Sequence, residues 1–230
     1  MKLKNFFWVV ICILSVILLT GCYRVQGVEN KAYAVAIGID SSNTHNLKIA
    51  IQFAVLNSSE TPKSSGGASN ENSSIIKVDC STLDSGISLI NSYISKQVNL
   101  SHCKAVVISE EYASNGLSNI IYTLMNNVEL RPDCNIIISK CDASDFLENS
   151  KPVFESNPAK YFELNFNSSE YTGYINNITL SDFYYNILSH SSSASAILAG
   201  INTKVVQEKS KSSISNMDDN YVPRTNPYRI

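Results

Sequence analysis

The chain has 230 residues, of which 18 are Lys or Arg and 20 are Asp or Glu, so its formal net charge is −2. This length is enough to bury one sizeable hydrophobic core, or one domain and part of another. A slightly acidic balance without a basic cluster argues against nucleic-acid binding, which needs a concentrated positive face, and against a polybasic lipid-binding surface.

The N-terminus predicts a bacterial lipoprotein signal peptide over residues 1–21. Two lysines precede the run Phe6–Leu19, which is apolar apart from one serine and is closed by the sequence Leu-Thr-Gly-Cys. The run is too short to span a bilayer, which needs about 20 residues, and a short apolar core followed by a small-residue site is typical of a cleaved signal. We therefore expect cleavage after Gly21 and a diacylglyceryl group on the thiol of Cys22.

The segment after the signal predicts a tether and a β-hairpin. Residues 22–31 form a short tether that keeps the folded part close to the membrane. Residues 32–40 are almost wholly apolar and rich in strand formers, which indicates a strand buried on both faces. Turn-forming residues and a second apolar stretch, 47–56, complete the hairpin. The Ser-, Asn- and Gly-rich segment 57–74 predicts a mobile loop.

A strand and a helix are predicted next. Residues 75–80 form the third strand. The pair Ser81 and Asp84 fits a capping box, in which two side chains satisfy free amides at the start of a helix. Apolar residues spaced by three or four then place one stripe along a helix that continues to Val98.

The middle of the chain goes on to alternate strands and helices. Short apolar strands are predicted at 105–108 and 135–139, a helix with the apolar stripe Leu117–Val128 lies between them, and a further helix covers 142–148. Two short apolar strands joined by a helix favour a parallel pair with a right-handed crossover. The expected fold class is α+β (mixed α/β), with a mixed β-sheet and helices packed on it.

The C-terminal part predicts two helices and a change of organisation. The helices cover 157–166 and 180–188, and we expect their aromatic side chains to be buried anchors. These side chains are Tyr161, Phe162, Phe166, Phe183, Tyr184 and Tyr185. Residues 32–188 are therefore the predicted N-terminal α/β domain. Residues 189–230 are predicted to be a linker and the start of an incomplete second domain, with a strand at 196–201.

The cysteines that follow the signal favour packing over chemistry. Cys80, Cys103, Cys134 and Cys141 could form two disulfides in three pairings. Their positions at the ends of strands instead favour small, half-buried residues. Their irregular spacing does not match that of metal ligands, so we expect no metal site.

No catalytic motif occurs in the sequence. A nucleophile elbow, a phosphate-binding loop and a zinc-protease helix are all missing. His45, His102 and His190 are scattered over a turn, a pre-strand loop and a linker, and we expect them to be surface or capping residues. Asp40 and Asp79 could be considered a carboxylate pair, but Asp40 is better explained as a turn former. We predict that the chain is not an enzyme and needs no cofactor.

The remaining charged residues also have structural explanations. Glu110 and Glu111 are acids at the start of a helix, where the helix dipole favours them. Arg131 is a cation at a helix exit, near the negative end of the dipole. A role for Arg131 in partner binding is the alternative.

Three stretches resemble the Ger(x)C family of spore germination lipoproteins. The first is 21–40, where Gly-Cys is followed by a glutamate and an alanine that lead into Ala-Ile-Gly-Ile-Asp. The second is 107–117, Val-Ile-Ser-Glu-Glu-Tyr-Ala-x-x-Gly-Leu. The third is 128–147, in which Val-Glu-Leu-Arg-Pro precedes a strand and then Ala-x-x-Phe-Leu. The resemblance covers only the N-terminal part of the family, and Tyr23 stands where a tryptophan is usual.

The resemblance implies the lipoprotein subunit of a nutrient germinant receptor. Such a subunit is held by its lipid on the outer face of the spore inner membrane, beside two integral-membrane subunits, and it has no catalytic role. Two other functions are open. A solute-binding lipoprotein feeding a transporter would usually need two α/β lobes. A lipid-anchored envelope hydrolase would need a nucleophile and a base within hydrogen-bond reach.

Overall fold

The computed structural model divides the chain into two compact units, residues 1–30 and 31–230. The first unit contains helix α1, Lys2–Leu19. No helix among the described residues has both the length and the apolar character needed to cross a membrane. The residues that the structure describes are 2–19, 30–55, 73–150, 155, 157–173, 175–189 and 193–201.

The second unit is built on a mixed β-sheet. In the described part of the chain its strands are β1 (Lys31–Asp40), β2 (Leu47–Ala54), β3 (Ser73–Cys80), β4 (Gln97–Asn99), β5 (Ala105–Ser109), β6 (Asn135–Ser139) and β7 (Ile197–Ala199). Their order across the sheet is β3-β2-β1-β5-β6-β7, and β4 pairs with the beginning of β1. The first three strands pair antiparallel, whereas the other four run parallel to β1.

Strand β1 is the centre of this sheet because it pairs along both of its edges. Ile37 lies opposite Ile51 of β2 on one side and opposite Val106 of β5 on the other. Every residue from Ala34 to Asp40 is buried. The unbroken apolar run predicted this burial, since a strand that is covered on both faces has no polar side.

Helices cover both faces of the sheet. In the second unit they are α2 (Leu83–Tyr93), α3 (Glu110–Ser114), α4 (Ser118–Met125), α5 (Ala143–Asn149), α6 (Pro158–Asn167) and α7 (Leu180–Leu188). One core forms beneath α2, α3, α4 and α7, and the other forms beneath α5 and α6. Neighbouring residues of β5, such as Val106 and Val107, enter opposite cores because side chains alternate along a strand. The predicted α+β class with a mixed sheet is confirmed.

For α2, the predicted start at the capping box Ser81/Asp84 and the predicted end at Val98 are both wrong. The capping box is formed one residue later, by Thr82 and Ser85, each of whose side chains accepts the other's backbone N–H. The helix ends at Tyr93 and does not reach Val98, which is a buried residue of β4. The side chain of Asn91 accepts the backbone N–H of Val98 at 2.8 Å, so the chain turns back at this point while the apolar spacing continues.

The predicted third helix is in fact two short helices. Gly116 has a φ of 105°, a left-handed conformation that favours glycine and separates α3 from α4. Because α4 ends at Met125, Val128 lies outside it and is 100% exposed. Arg131 is therefore not at the helix exit, and its guanidinium contacts the Asp133 carboxylate at 2.6 Å.

The aromatic residues of the last two helices divide by helix face. Phe162 and Phe166 of α6 and Phe183 of α7 are buried, as predicted. Tyr161 and Tyr184 are only half-buried. Tyr185 is 64% exposed, so its prediction as a buried anchor is wrong. It lies two positions after Phe183, which places it on another side of the helix.

The strand predicted at 196–201 belongs to the mixed sheet described above. Strand β7 pairs in parallel with β6, from Ile137 opposite Ile197 to Ser139 opposite Ala199. The sequence predicts that this segment begins a second domain, but its pairing with β6 makes it the edge strand of the sheet described above. The further domain predicted beyond it, and most of the predicted loop at 57–74, lie outside the described residues.

Gly86 of α2 provides a test of how closely this helix packs on the sheet. A Cβ at this position would lie 2.6 Å from Cδ1 of Ile49 and 2.7 Å from Sγ of Cys80, and both of these side chains are buried. Replacing a helical glycine with alanine usually stabilises a protein by about 0.5–1 kcal/mol. Here we expect Gly86→Ala to lower the free energy of unfolding by about 1–3 kcal/mol, because the core must move.

Chemical denaturation of the full chain measures this change. Gly173→Ala is the matched control, since a Cβ there meets no atom within 4 Å. A Gly86→Ala variant as stable as Gly173→Ala would show that α2 does not approach β2 and β3 this closely.

Candidate functional site

The predicted lipidation site lies outside the described residues. Gly21 and Cys22 fall between α1 and β1, in a segment whose placement the structure leaves undescribed, and the same holds for His190. Cleavage after Gly21 and acylation of Cys22 therefore stay predictions.

Asp40 has a different role from the one predicted. It is 1% exposed, and its carboxylate accepts the backbone N–H groups of Ala143 and Ser144 at the start of α5. Asp142, which occupies the N-cap position of that helix, makes no capping hydrogen bond through its side chain. A carboxylate at a helix N-terminus satisfies free amides and interacts favourably with the dipole. Asp40 is therefore a long-range helix cap and not a turn former.

Two other polar side chains at this edge of the sheet, those of Ser109 and Ser139, also have structural partners, whereas the buried Oγ of Ser41 has none. Ser109, at the end of β5, accepts the backbone N–H of Tyr112 at 3.3 Å and so caps α3. The hydroxyl of Ser139, at the end of β6, lies 3.3 Å from Sγ of Cys141. The edge where the parallel strands end is the usual place for a ligand in such sheets. Here the side chains of Asp40 and Ser109 cap the helices that begin at this edge.

The described histidines are not combined with a nucleophile. His102 packs edge-on against the ring of Tyr33, with 5.0 Å between the ring centroids. His45 is exposed in the turn between β1 and β2, where its backbone N–H donates to Ser42. No hydrogen bond in the described part of the chain joins either imidazole to a serine or a carboxylate.

The acidic residues considered as pairs are also separated by role. Asp79 accepts a hydrogen bond from the Ser42 hydroxyl at 2.7 Å on the surface, whereas Asp40 is buried. Glu110 and Glu111 occupy the first turn of α3, as the dipole argument predicted.

The four cysteines predicted to remain after the signal are free thiols. Cys80, Cys103 and Cys134 are buried and Cys141 is half-buried. Burial raises the pKa of Cys103 to about 12. Burial also raises the pKa of Cys134, and the neighbouring Cys103 and Asp133 raise it further. No group of histidine, cysteine and acidic residues within the described ranges could hold a metal ion. Cys103 and Cys134 are packing residues, and their raised pKa values make them poor nucleophiles.

A surface groove between α2 and the end of α4 combines exposed apolar and acidic side chains. We call it the acidic groove, and it has a volume of about 500 Å³. Val128 is fully exposed and Tyr122 is 60% exposed. The residues that line it are Asp84 of α2 and Tyr122, Thr123, Asn126, Asn127, Val128 and Glu129.

Hydrogen bonds hold the loop that forms one wall of the acidic groove. Asn126 ends α4, and its side chain donates to the carbonyl of Tyr122 at 2.8 Å. The side-chain oxygen of Asn127 accepts the backbone N–H groups of Glu129 and Leu130 at 3.0 and 3.1 Å. Leu130 is buried, so the loop is anchored just after Val128. The exposed valine is thus presented by a fixed turn.

Sequence reasoning missed this groove because it extended the helix through Val128. The pair Asn126-Asn127 was the available signal, since asparagine commonly ends helices and forms turns with its own side chain. The position of Asp84 beside this turn could not be read from the sequence, because α2 and α4 meet only in the folded chain.

A second pocket is a small apolar slot beneath α6. Its volume is about 20 Å³, and Phe146, Phe162 and Phe166 are among the side chains that line it. Small-molecule sites are typically about 300–1,000 Å³, so this slot is a packing defect of the core.

The comparisons with known proteins point to spore germination. The family model described as the spore germination protein N-terminal domain matches residues 25–203. The putative spore germination protein YfkR of Bacillus subtilis (strain 168) is 25% identical over 159 residues, which are 68% of this chain and 41% of that protein. Spore germination protein KC of the same organism is 24% identical over 147 residues, which are 63% of this chain and 36% of that protein. The chain therefore matches only about two fifths of the length of these relatives. No solved structure matches it.

Removal of the Asp40 carboxylate tests its role as a helix cap. Asp40→Ala leaves two backbone N–H groups of α5 without their acceptor in a buried place, and we expect the free energy of unfolding to fall by roughly 2–4 kcal/mol. Asp79→Ala removes an exposed carboxylate near the end of β3, and it should lower the free energy of unfolding by less than about 0.5 kcal/mol. Equal losses in the two variants, measured by urea denaturation, would contradict the capping role.

The raised pKa of Cys103 predicts a loss of stability in alkali. The folded chain favours the neutral thiol of Cys103, whereas the unfolded chain ionises it more easily. The stability that the neutral thiol contributes to the folded state is therefore fully present below pH 9.0 and is lost as the pH rises towards about 12. In unfolding curves recorded over that range, the free energy of unfolding should fall less steeply for Cys103→Ala than for the unmodified chain.

At about pH 8, iodoacetamide should alkylate the half-buried Cys141 well before Cys103. Alkylation of both at one rate would contradict the burial of Cys103.

Proposed function

Because this chain belongs to the Ger(x)C family of spore germination proteins, whose N-terminal domain it carries, we propose that it is the lipid-anchored, non-catalytic subunit of a nutrient germinant receptor. The observation that carries the proposal is the family match over residues 25–203, which begins three residues after Cys22. A lipoprotein signal directly before a germination domain is the arrangement expected of an anchored subunit.

The proposed anchor is a diacylglyceryl group on Cys22 after cleavage at Gly21. Each buried methylene contributes about 0.8 kcal/mol, so two or three acyl chains hold a protein far better than one. Strand β1 begins at Lys31, and the eight residues between Cys22 and Lys31 reach at most about 30 Å when extended. The sheet is thereby kept close to the outer face of the spore inner membrane, beside the two integral-membrane subunits of the proposed receptor.

The proposed role is to bind those subunits and not to transform or hold the nutrient. Asp40 and Ser109 cap helices, and Cys103 and Cys134 are buried with raised pKa values. The apolar slot beneath α6 has a volume of only about 20 Å³. We propose that the membrane subunits form the nutrient pocket and that this chain influences their assembly or response.

Labelling of Cys22 tests the anchor. In an endospore-forming host that expresses the full chain, radioactive palmitate should enter the unmodified protein, and the protein should stay with the membrane after an alkaline wash. Cys22→Ala should lose both properties, whereas Cys141→Ala should keep both, since Cys141 is a half-buried residue of the folded unit. An unlabelled protein that is freely released from the membrane would contradict the anchor.

Germination of spores tests the receptor role in the same strains. Deletion of the gene should abolish the response to at least one nutrient, and the unmodified gene should restore it while Cys22→Ala restores less. A deletion strain that responds normally to every nutrient tested would contradict the role of receptor subunit.

A further inference from the structure

We propose that the acidic groove is a docking site for a protein segment that presents a cationic side chain next to an apolar one. That such a segment belongs to a receptor subunit rests on the proposed function, but the chemistry of the groove does not. The groove offers an apolar contact and a negative potential on one fixed surface.

The apolar contact comes from Val128 and Tyr122. Val128 is 100% exposed. It lies in the turn that the Asn127 side chain fixes, two residues before the buried Leu130. Valine has a stiff side chain, so little conformational entropy remains to be lost when a partner packs on it. Tyr122 adds a ring that is 60% exposed, and tyrosine is enriched among the residues that dominate binding energies.

The negative potential comes from three sources. Asp84 and Glu129 are exposed residues at the groove, and one oxygen of the Glu129 carboxylate also accepts the backbone N–H of Leu100 at 3.4 Å. None of the described residues that line the groove is basic. The last turn of α4 contains no basic residue, so the carbonyl end of its dipole is not compensated there. Opposite charges across an interface steer encounter and fix orientation, so the complementary partner is cationic. A guanidinium could also stack on the ring of Tyr122.

The first experiment probes the groove without assuming any partner. The full chain in detergent micelles is titrated with N-acetyl-leucyl-arginine amide, and chemical shifts of the backbone amides are followed by NMR. We expect saturable shifts that cluster at Tyr122, Val128 and Glu129. The double variant Asp84→Asn, Glu129→Gln should weaken this binding by about fivefold, and Glu111→Gln, outside the groove, should leave it unchanged.

Salt and probe charge complete that experiment. Raising the salt from about 0.05 M to about 0.5 M should weaken the binding. N-acetyl-leucyl-glutamic acid amide should bind at least about fivefold more weakly than the arginine probe. Shifts spread evenly over the surface, or equal binding of the two probes, would overturn the proposal.

The second experiment uses the membrane subunits. The pair Val128→Asp, Glu129→Lys should reduce the amount of these subunits that co-purifies with the chain by about tenfold. Leu164→Asp is the matched control, because Leu164 is an apolar residue of α6 that is 50% exposed. Glu129 also accepts the backbone N–H of Leu100 at 3.4 Å, so Val128→Asp alone, at a fully exposed position, is the variant expected to reduce co-purification with thermal unfolding unchanged.

The outcomes separate the two proposals. Co-purification that the groove variant does not reduce would overturn docking at the groove and leave the proposed function intact. A chain that co-purifies with neither membrane subunit would count against the proposed function, and the titration would then decide the groove on its own.

Discussion

The buried carboxylate of Asp40 joins the central strand to a helix that begins more than a hundred residues later. β1 pairs along both edges and is covered on both faces, so its last residue ends inside the protein. A carboxylate in such a place must be hydrogen-bonded, and the free amides of α5 need an acceptor. Each group satisfies the other, which fixes where α5 lies across β1. The second core, beneath α5 and α6, depends on that placement.

These contacts give several polar side chains of the sheet a structural role. The edge where parallel strands end is where many α/β proteins bind ligands. Here Asp40, Ser109 and Ser139 are engaged with neighbouring helices or side chains. The acidic groove lies instead on the outer surface of the helical layer, where it combines an exposed apolar residue with two acidic residues.

Free thiols are kept from reacting when they are buried and protonated. Burial does this for Cys103 and Cys134, because the thiolate is the reactive form and both pKa values are raised. The same burial ties these residues to packing, since both belong to the core beneath α2, α4 and α7. Cys22, for which we propose the anchoring role, differs from these two cysteines because it precedes the unit 31–230 in the sequence.

The sequence by itself determined the elements whose signals are local. The apolar run of β1 predicted a strand buried on both faces, the spacing in 180–188 predicted the bounds of α7, and the strands at 105–108 and 135–139 predicted a parallel pair. Only the tertiary structure decided what depends on distant segments: the partner of Asp40, the pairing of β7 with β6, and the exposure of Val128 beside Asp84. Local periodicity reports which side of an element is apolar, but it does not report which element lies across from it.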